Sequence, residues 1–345
     1  MKRFHVGKWA TLALAGMLML AGCGGGGSAG GGGSAGGGSA SGGNSSSVQG
    51  SGSTPAPAAA EKVIGMSFPA ADHGWLGAVI KNAEDEAKAE GLKYVITTAA
   101  DPNKQTNDIE DLISKKVSAI VMLPIESAAM TPVAKKVKDA GIPLIVVDRE
   151  LESDDFTALV KGDNKGIGSH AGAYLVDKLG GKGKIVEIIG VPSSVTTMRS
   201  DGFREAIKGH PDMQVIVSQS GDFQKEKSLN VMQNILQSES QIDAVYTHDD
   251  EMALGVLQAI KEAKRTDIKV VTGAGGHKDV YKLIKDGDPL MQATFTYSPL
   301  MVKDAVKLAA DIVNGKTPAE KVTMLEATPI TKDNIDKFYD PNANY

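Results

Sequence analysis

The sequence predicts an α/β fold of two doubly wound lobes, each built on a mostly parallel sheet. Three observations lead there. From Val63 onward, short β-rich runs alternate with amphipathic helical patterns, which is the signature of repeated βαβ units. Several of the runs, such as Ala119–Leu123 and Pro143–Val147, are apolar throughout, as strands covered on both faces are. The pattern then restarts, and the strands are too many for one sheet wound by sequential right-handed crossovers.

The elements follow in order. Strands are expected at Val63–Phe68, Tyr94–Thr98, Ala119–Leu123 and Pro143–Val147, separated by helices at Leu76–Glu90, Asn103–Lys116 and Thr131–Ala140. Gly91 and Gly141 stop two of these helices, as glycine does after a last helical turn. The second series opens with a helix at Ile167–Leu179. It continues with strands at Lys184–Ile189, Gln214–Ser218, Ala244–Thr247, Lys269–Thr272 and Ala293–Thr296. Helices at Arg199–Lys208, Glu226–Gln237, Met252–Ala263 and Asp279–Lys285 lie between them, and a long helix at Pro299–Val313 follows.

Length and composition agree with this reading. The 345 residues suffice for two domains at roughly 100–200 residues each. The net charge of −5 lacks the basic excess expected of a nucleic-acid partner. Cys23 is the single cysteine, so no intrachain disulfide or cysteine-based metal site can form. Residues 1–22 read as a secretory leader, with Lys2, Arg3 and Lys8 before the apolar run Trp9–Leu20. That run is shorter than the ~20 residues a membrane span needs. Leu20-Ala-Gly-Cys23 resembles a bacterial lipobox, which implies cleavage before Cys23 and a diacylglyceryl group on its sulfur. Residues 23–60 are dominated by Gly, Ser, Ala and Pro, a composition expected to form a disordered tether reaching roughly 35 Å.

In open α/β sheets, ligands bind beyond the carboxyl ends of the strands. The loops there gather polar and aromatic residues: Asp72-His73-Gly74-Trp75, Asp148-Arg149, the stretch before Arg199, Phe223, Asp249-Asp250-Glu251, Gly273–His277 and Tyr297. An adjacent Asp and Arg suit a diol, because a carboxylate accepts from two hydroxyls and a guanidinium fork donates to two oxygens. The bland alternative is a strand-end surface ion pair worth ~0–1 kcal/mol. For Trp75 the bland alternative is packing against its own helix.

The combination Val146-Val-Asp-Arg149, Gly162-Asp-Asn164, Arg199-Ser-Asp-Gly-Phe203, Ser228–Leu236 and Asp249-Asp-Glu-Met-Ala-Leu-Gly255 resembles the type I periplasmic sugar-binding proteins. These are the ribose receptors and other pentose and hexose receptors of ABC transporters, and the likeness spans about residues 61–334. Lactose-repressor-type regulators share the last motif but carry a helix-turn-helix and no leader. The resemblance implies two lobes joined by three crossovers, with residues 61–161 and 298–326 in one and 162–297 and 327–345 in the other. It implies a monomer that takes up a monosaccharide or related polyol by hinge closure, needs no cofactor or metal, and delivers its ligand to ABC permease subunits. The anchored form would sit in the periplasm or on the outer face of the cell membrane.

The resemblance also assigns roles. Asp148 and Arg149 grip hydroxyls from one lobe, and Arg199 and Asp249 from the other. Trp75 and Phe223 stack on the sugar ring. Tyr297 stands where ribose receptors use Gln, and His73 where they use Asn. Arg199 is read as opening its helix, and Asp250 and Glu251 as capping theirs. Gly273–Gly276 lacks the Asp those receptors carry, which argues against plain ribose. Asp72 and His277 complete the expected site. His73, His248 and His277 fall in cleft loops but lack metal-site spacing. They are read as neutral imidazoles bonding hydroxyls, so that mild acid weakens binding.

Two other functions compete. An enzyme would need a nucleophile elbow, a phosphate loop or carboxylates facing one bond. None is evident, and Asp249-Asp250 are adjacent in sequence. A sensory co-receptor for chemotaxis or a sensor kinase would use the same closure as a transport protein.

Overall fold

The computed structural model describes residues 62–343 and residue 345. The leader, Cys23 and the tether lie outside the described residues. In chain order the main elements are β1 (Val63–Pro69), α1 (Gly74–Ala89), β2 (Lys93–Ala99), α2 (Pro102–Ser114), β3 (Ala119–Met122), α3 (Ser127–Asp139), β4 (Leu144–Val147) and β5 (Ala158–Gly162). There follow α4 (Asn164–Leu179), β6 (Gly183–Ile189), α5 (Ser194–Ile207), β7 (Met213–Ser220), α6 (Lys225–Ser238), β8 (Ala244–Thr247), α7 (Asp250–Ala263) and β9 (Val270–Thr272). The chain continues through α8 (Lys278–Asp286), β10 (Met291–Phe295), α9 (Met301–Val313), β11 (Val322–Leu325) and β12 (Pro329–Thr331).

The strands form two sheets, ordered β11-β5-β4-β3-β1-β2 and β12-β10-β9-β8-β6-β7. All pairings are parallel except β10 with β12. The chain passes from the first sheet to the second between Gly162 and Asn164. It returns between Phe295 and Met301 and crosses again between Leu325 and Pro329. In each sheet the order reverses beside the first strand, which puts a switch-point crevice at the carboxyl edge.

The period of two along the strands explains why these runs are apolar throughout. In β3, Ile120 and Met122 pack into a core with Leu112, Met130 and Val133 of α2 and α3. Ala119 and Val121 face the opposite core, with Leu76, Val79, Val302 and Val306 of α1 and α9. A third core fills the second lobe around Val186, Ile188, Val245, Met252 and Val256.

Three strands escape the sequence reading. Val160 of β5 is buried in a short stretch ending in Lys-Gly. β11 is an edge strand with alternating exposure, and β12 opens on a proline at the other sheet's edge, a place where strand signals are weak. Two helix starts are corrected. α5 begins at Ser194 because Ser193 caps it, accepting from the Thr196 amide, so Arg199 sits in the second turn rather than opening the helix. α7 is capped by Asp249 itself, which accepts from the Glu251 and Met252 amides, not by Asp250 or Glu251.

Candidate functional site between the lobes

β4 delivers Asp148 with a left-handed backbone, φ +67°, a conformation that costs a non-glycine residue roughly 1 kcal/mol or more and clusters at functional sites. Its neighbour Arg149 donates through Nη1 to the carbonyls of Pro124 (3.2 Å) and Ile125 (2.5 Å). Arg149 Nε lies 3.7 Å from Asp148 Oδ2 and has no hydrogen-bond partner. From the second lobe, Arg199 is buried, donating from Nε to Asn164 Oδ1 (2.9 Å) and from Nη1 to the His248 carbonyl.

Tyr297, in the second crossing, ties the two sides together. Its hydroxyl donates to Asp148 and accepts from Asn164 Nδ2. Its ring lies 4.4 Å from the Arg199 guanidinium and stacks on Trp75 at 5.5 Å. Trp75 Nε1 donates to the Tyr297 carbonyl at 2.9 Å. Gly162 makes room for this ring, since a Cβ there would stand 2.2 Å from it.

Phe223 is held at φ +62°, with its ring over Gly190, where a Cβ would collide at 1.9 Å. The His73 ring lies 6.2 Å from it. Asp249 turns one carboxylate oxygen to its helix and the other towards the Tyr345 hydroxyl at 3.4 Å.

His73, Trp75, Asp148, Arg149, Arg199, Phe223, Asp249 and Tyr297 line one small space of about 20 Å³, with Val195. Asp72 and His277 do not join them. Asp72 is exposed at the rim, where it accepts from Gln224 Nε2 of the other lobe at 3.0 Å. His277 caps α8, its Nδ1 accepting from the Asp279 amide, and meets Tyr345 edge-on at 4.9 Å. The cause is Asp250, whose carboxylate accepts from the Gly276 and His277 amides and so fixes the turn. His248 is also corrected: its ring is wholly buried beside Glu187 Oε1 at 3.2 Å, and only its carbonyl serves the site. Asn164, Val195 and Tyr345 escape the sequence reading. Asn164 stood inside a motif taken as a crossover mark, whereas nothing local marks Tyr345.

The lobes are closed on each other around this space. The Gly74 amide donates to Glu251 (2.6 Å), Ser194 N to Ser127 Oγ (3.0 Å) and Glu150 N to Ser194 Oγ (2.7 Å).

The electrostatics favour an uncharged guest. Two carboxylates, Asp148 and Asp249, face two guanidiniums, Arg149 and Arg199, and a further charge in so buried a place would have no partner. Burial pushes the Asp148 carboxyl up, against Arg149, the Tyr297 hydrogen bond and Arg199. Burial likewise raises Asp249, and the charges of Asp250 and Glu251 add to it. Burial lowers His73 to about 4, so its imidazole stays neutral in mild acid. With His248 and His277 outside the space, the expected loss of binding in mild acid has no histidine behind it.

Asp250 gives a separate, testable pH effect. Burial raises its carboxyl from 3.8 to about 6 despite bonds from Thr294, His277 and Gly276. The folded state therefore holds this proton more tightly than the unfolded chain. That contribution is complete below 3.8 and disappears as pH rises through about 6. Asp250→Asn keeps the shape and removes the titration: its amide oxygen can still accept from the Gly276 and His277 amides, and its Nδ2 donates to the Thr294 hydroxyl, which must turn to accept. The thermal midpoint of the variant should climb relative to wild type as pH rises from about 4 to about 7. Calorimetry showing parallel curves would contradict the assignment.

A family model described as a periplasmic binding protein domain matches residues 64–317. The chain belongs to the periplasmic binding proteins. Within that family this binding protein is of the type I, sugar-binding kind, and members of the family are binders rather than enzymes. It is 38% identical over 259 residues to the ribose import binding protein RbsB of Bacillus subtilis, covering 74% of this chain and 83% of that one. It is 33% identical over 299 residues to the galactofuranose-binding protein YtfQ of Escherichia coli, covering 83% and 93%. A crystal structure of a galactofuranose-binding protein superposes with TM-score 0.75 at 31% identity, covering 80% of this binding protein and 96% of that chain.

Proposed function

We propose that the protein takes up a neutral monosaccharide or related polyol between its lobes and presents the closed form to the permease of an ABC-type importer. The observation that carries this is the meeting of Asp148 and Arg149 from one lobe with Arg199 and Asp249 from the other, walled by Trp75 and Phe223. Asp and Arg exchange hydrogen bonds with vicinal hydroxyls, and flat aromatic rings cover the apolar face of a sugar. His73 Nδ1 and Arg149 Nε are buried without a hydrogen-bond partner, and such groups cost free energy until a ligand or water satisfies them. The relatives named for ribose import and galactofuranose binding support the same reading. Because both lobes supply contacts, ligand stabilises the closed arrangement over any open one. The lipobox-like Cys23 completes the proposal: a lipid-anchored protein outside the cell membrane.

Titration calorimetry against pentoses, hexoses, inositol and xylitol tests the site. At least one should bind with a dissociation constant near micromolar, about −8.2 kcal/mol, and sugar phosphates and acids far more weakly. Silence across the whole panel rejects the proposal. Detergent partitioning of the full chain tests the anchor, since Cys23→Ser should move it to the aqueous phase.

A further inference from the structure

We infer that Glu251 is a positioning residue that sets the strength of sugar binding without touching the sugar: its carboxylate caps helix α1 across the cleft and latches the lobes shut. This rests on the sugar-binding reading of the cleft.

The two helices that meet here are unequally equipped. α1 opens on His73, whose side chain makes no cap hydrogen bond, and its first turn holds no acidic residue. The first amides of a helix have no partner within it, and its start behaves as about half a positive charge. α7 has more acid than its own start uses. Asp249 caps it, and Asp250 and Glu251 both lie in its first turn. Asp250 is engaged by the Gly276 and His277 amides and the Thr294 hydroxyl. Glu251 crosses to the other lobe instead, where the Gly74 amide donates to its Oε1 at 2.6 Å. Burial pushes the Glu251 carboxyl up, and the Gly74 and Trp75 amides pull it back.

Gly74 is part of the same fitting. A Cβ there would stand 2.6 Å from Glu251 Oε1, so a side chain would displace the carboxylate. Glycine disfavours a helix relative to alanine, so its place here follows from the contact rather than from α1 itself. Glu251 lines neither the small space around Asp148 nor the cleft mouth outside it. Yet Trp75 follows Gly74 directly and Asp249 lies in the same turn as Glu251, so latch and site share both helix starts.

With about 20 Å³ left in the inner space, the lobes of this structure hold one another directly. Separating them returns the α1 amides to water and takes this partner from Glu251. A guest that needs the closed arrangement binds more tightly the more often the latch is made.

Spin labels on Asn103→Cys and Glu226→Cys test this. Both are exposed, near Pro102 and Phe223, which line the cleft mouth from opposite lobes. The full chain also carries Cys23→Ser, and the label separation is read without sugar. Glu251→Gln and Gly74→Ala should each move population from the short distance to a longer one. On unlabelled chains, calorimetry and stopped flow use D-ribose, D-galactose, xylitol and myo-inositol. Any that bind wild type should bind each variant about tenfold more weakly, through faster dissociation. The double variant should lose little more than either single one, because both substitutions remove one contact. Gly74→Ala should keep or raise the thermal midpoint, which separates loss of the latch from loss of the fold. Variants that match wild type in both readouts, or losses that add in full, overturn the latch. If the distances shift but none of the four compounds binds, the latch stands and the sugar-binding reading fails. If they bind and neither readout moves, that reading stands and the latch fails.

Discussion

Replacing Arg199 with alanine should weaken ligand binding by about 2–5 kcal/mol, the usual cost of truncating one partner in a desolvated charge arrangement. The residue is 2% exposed, and its guanidinium serves several groups at once. It orients Asn164, accepts the Tyr297 ring on its face and bonds the His248 carbonyl, which precedes Asp249 in the chain. Without it, Asp148 and Asp249 share the cleft with one cation instead of two, and both carboxyls move further towards the neutral form. The loss should appear in the dissociation rate, because the residue lies in the interior of the site rather than at its rim. Arg199→Lys should recover little, since an ammonium cannot present the planar fork or stack on a phenol ring in the same way. Binding of the Arg199→Ala protein within threefold of wild type would remove Arg199 from the site.

The second large effect lies away from the pocket. Gly168→Val should destabilise the fold by about 3 kcal/mol or more, the upper range for forcing bulk into a filled interior. For a domain of this size that lowers the melting midpoint by roughly 6–12 °C. The reason is that α4 and α5 touch backbone to backbone. A Cβ at Gly168 would fall 2.1 Å from the Arg199 carbonyl oxygen and 2.7 Å from the Phe203 nitrogen. On the facing helix, a Cβ at Gly202 would fall 2.2 Å from the Lys165 carbonyl oxygen. Backbone cannot rotate aside as a flexible side chain can, so the helices must separate. α5 carries Arg199 and α4 carries Asn164, so the same change should also weaken sugar binding. Gly209 is the control: a Cβ there meets nothing within 4 Å, and Gly209→Ala should change stability by no more than about 0.5 kcal/mol. Equal midpoints for Gly168→Val and wild type would show that the helix contact is looser than described.

Much of this architecture was legible because burial leaves a pattern along the chain. Ala119–Met122 and Leu144–Val147 sit between two cores, and their unbroken apolar runs say so. The closing strands were not legible, because an edge needs less apolar surface and β12 even admits a proline. In the site, Asp148 and Arg149 are readable from their place after a central strand. The failures were matters of local hydrogen bonding. Asp249 proved to be a cap as well as a pocket wall. His277 follows a turn whose direction is set by Asp250, a residue that looks like its equal in the sequence. Tyr345 reaches Asp249 from far along the chain, and no spacing rule connects the two.

The phenol on the second crossing has one more consequence. It is a tethered competitor: the hydroxyl of Tyr297 bonds a carboxylate oxygen of Asp148 that an incoming sugar would want, and it does so as an intramolecular partner. The measured affinity is therefore the intrinsic one reduced by the fraction of molecules in which that claim has been given up. Since the residue lies on the segment between Phe295 and Met301 that links the halves, opening the halves is expected to release the oxygen, so that loading begins with the protein letting go of itself.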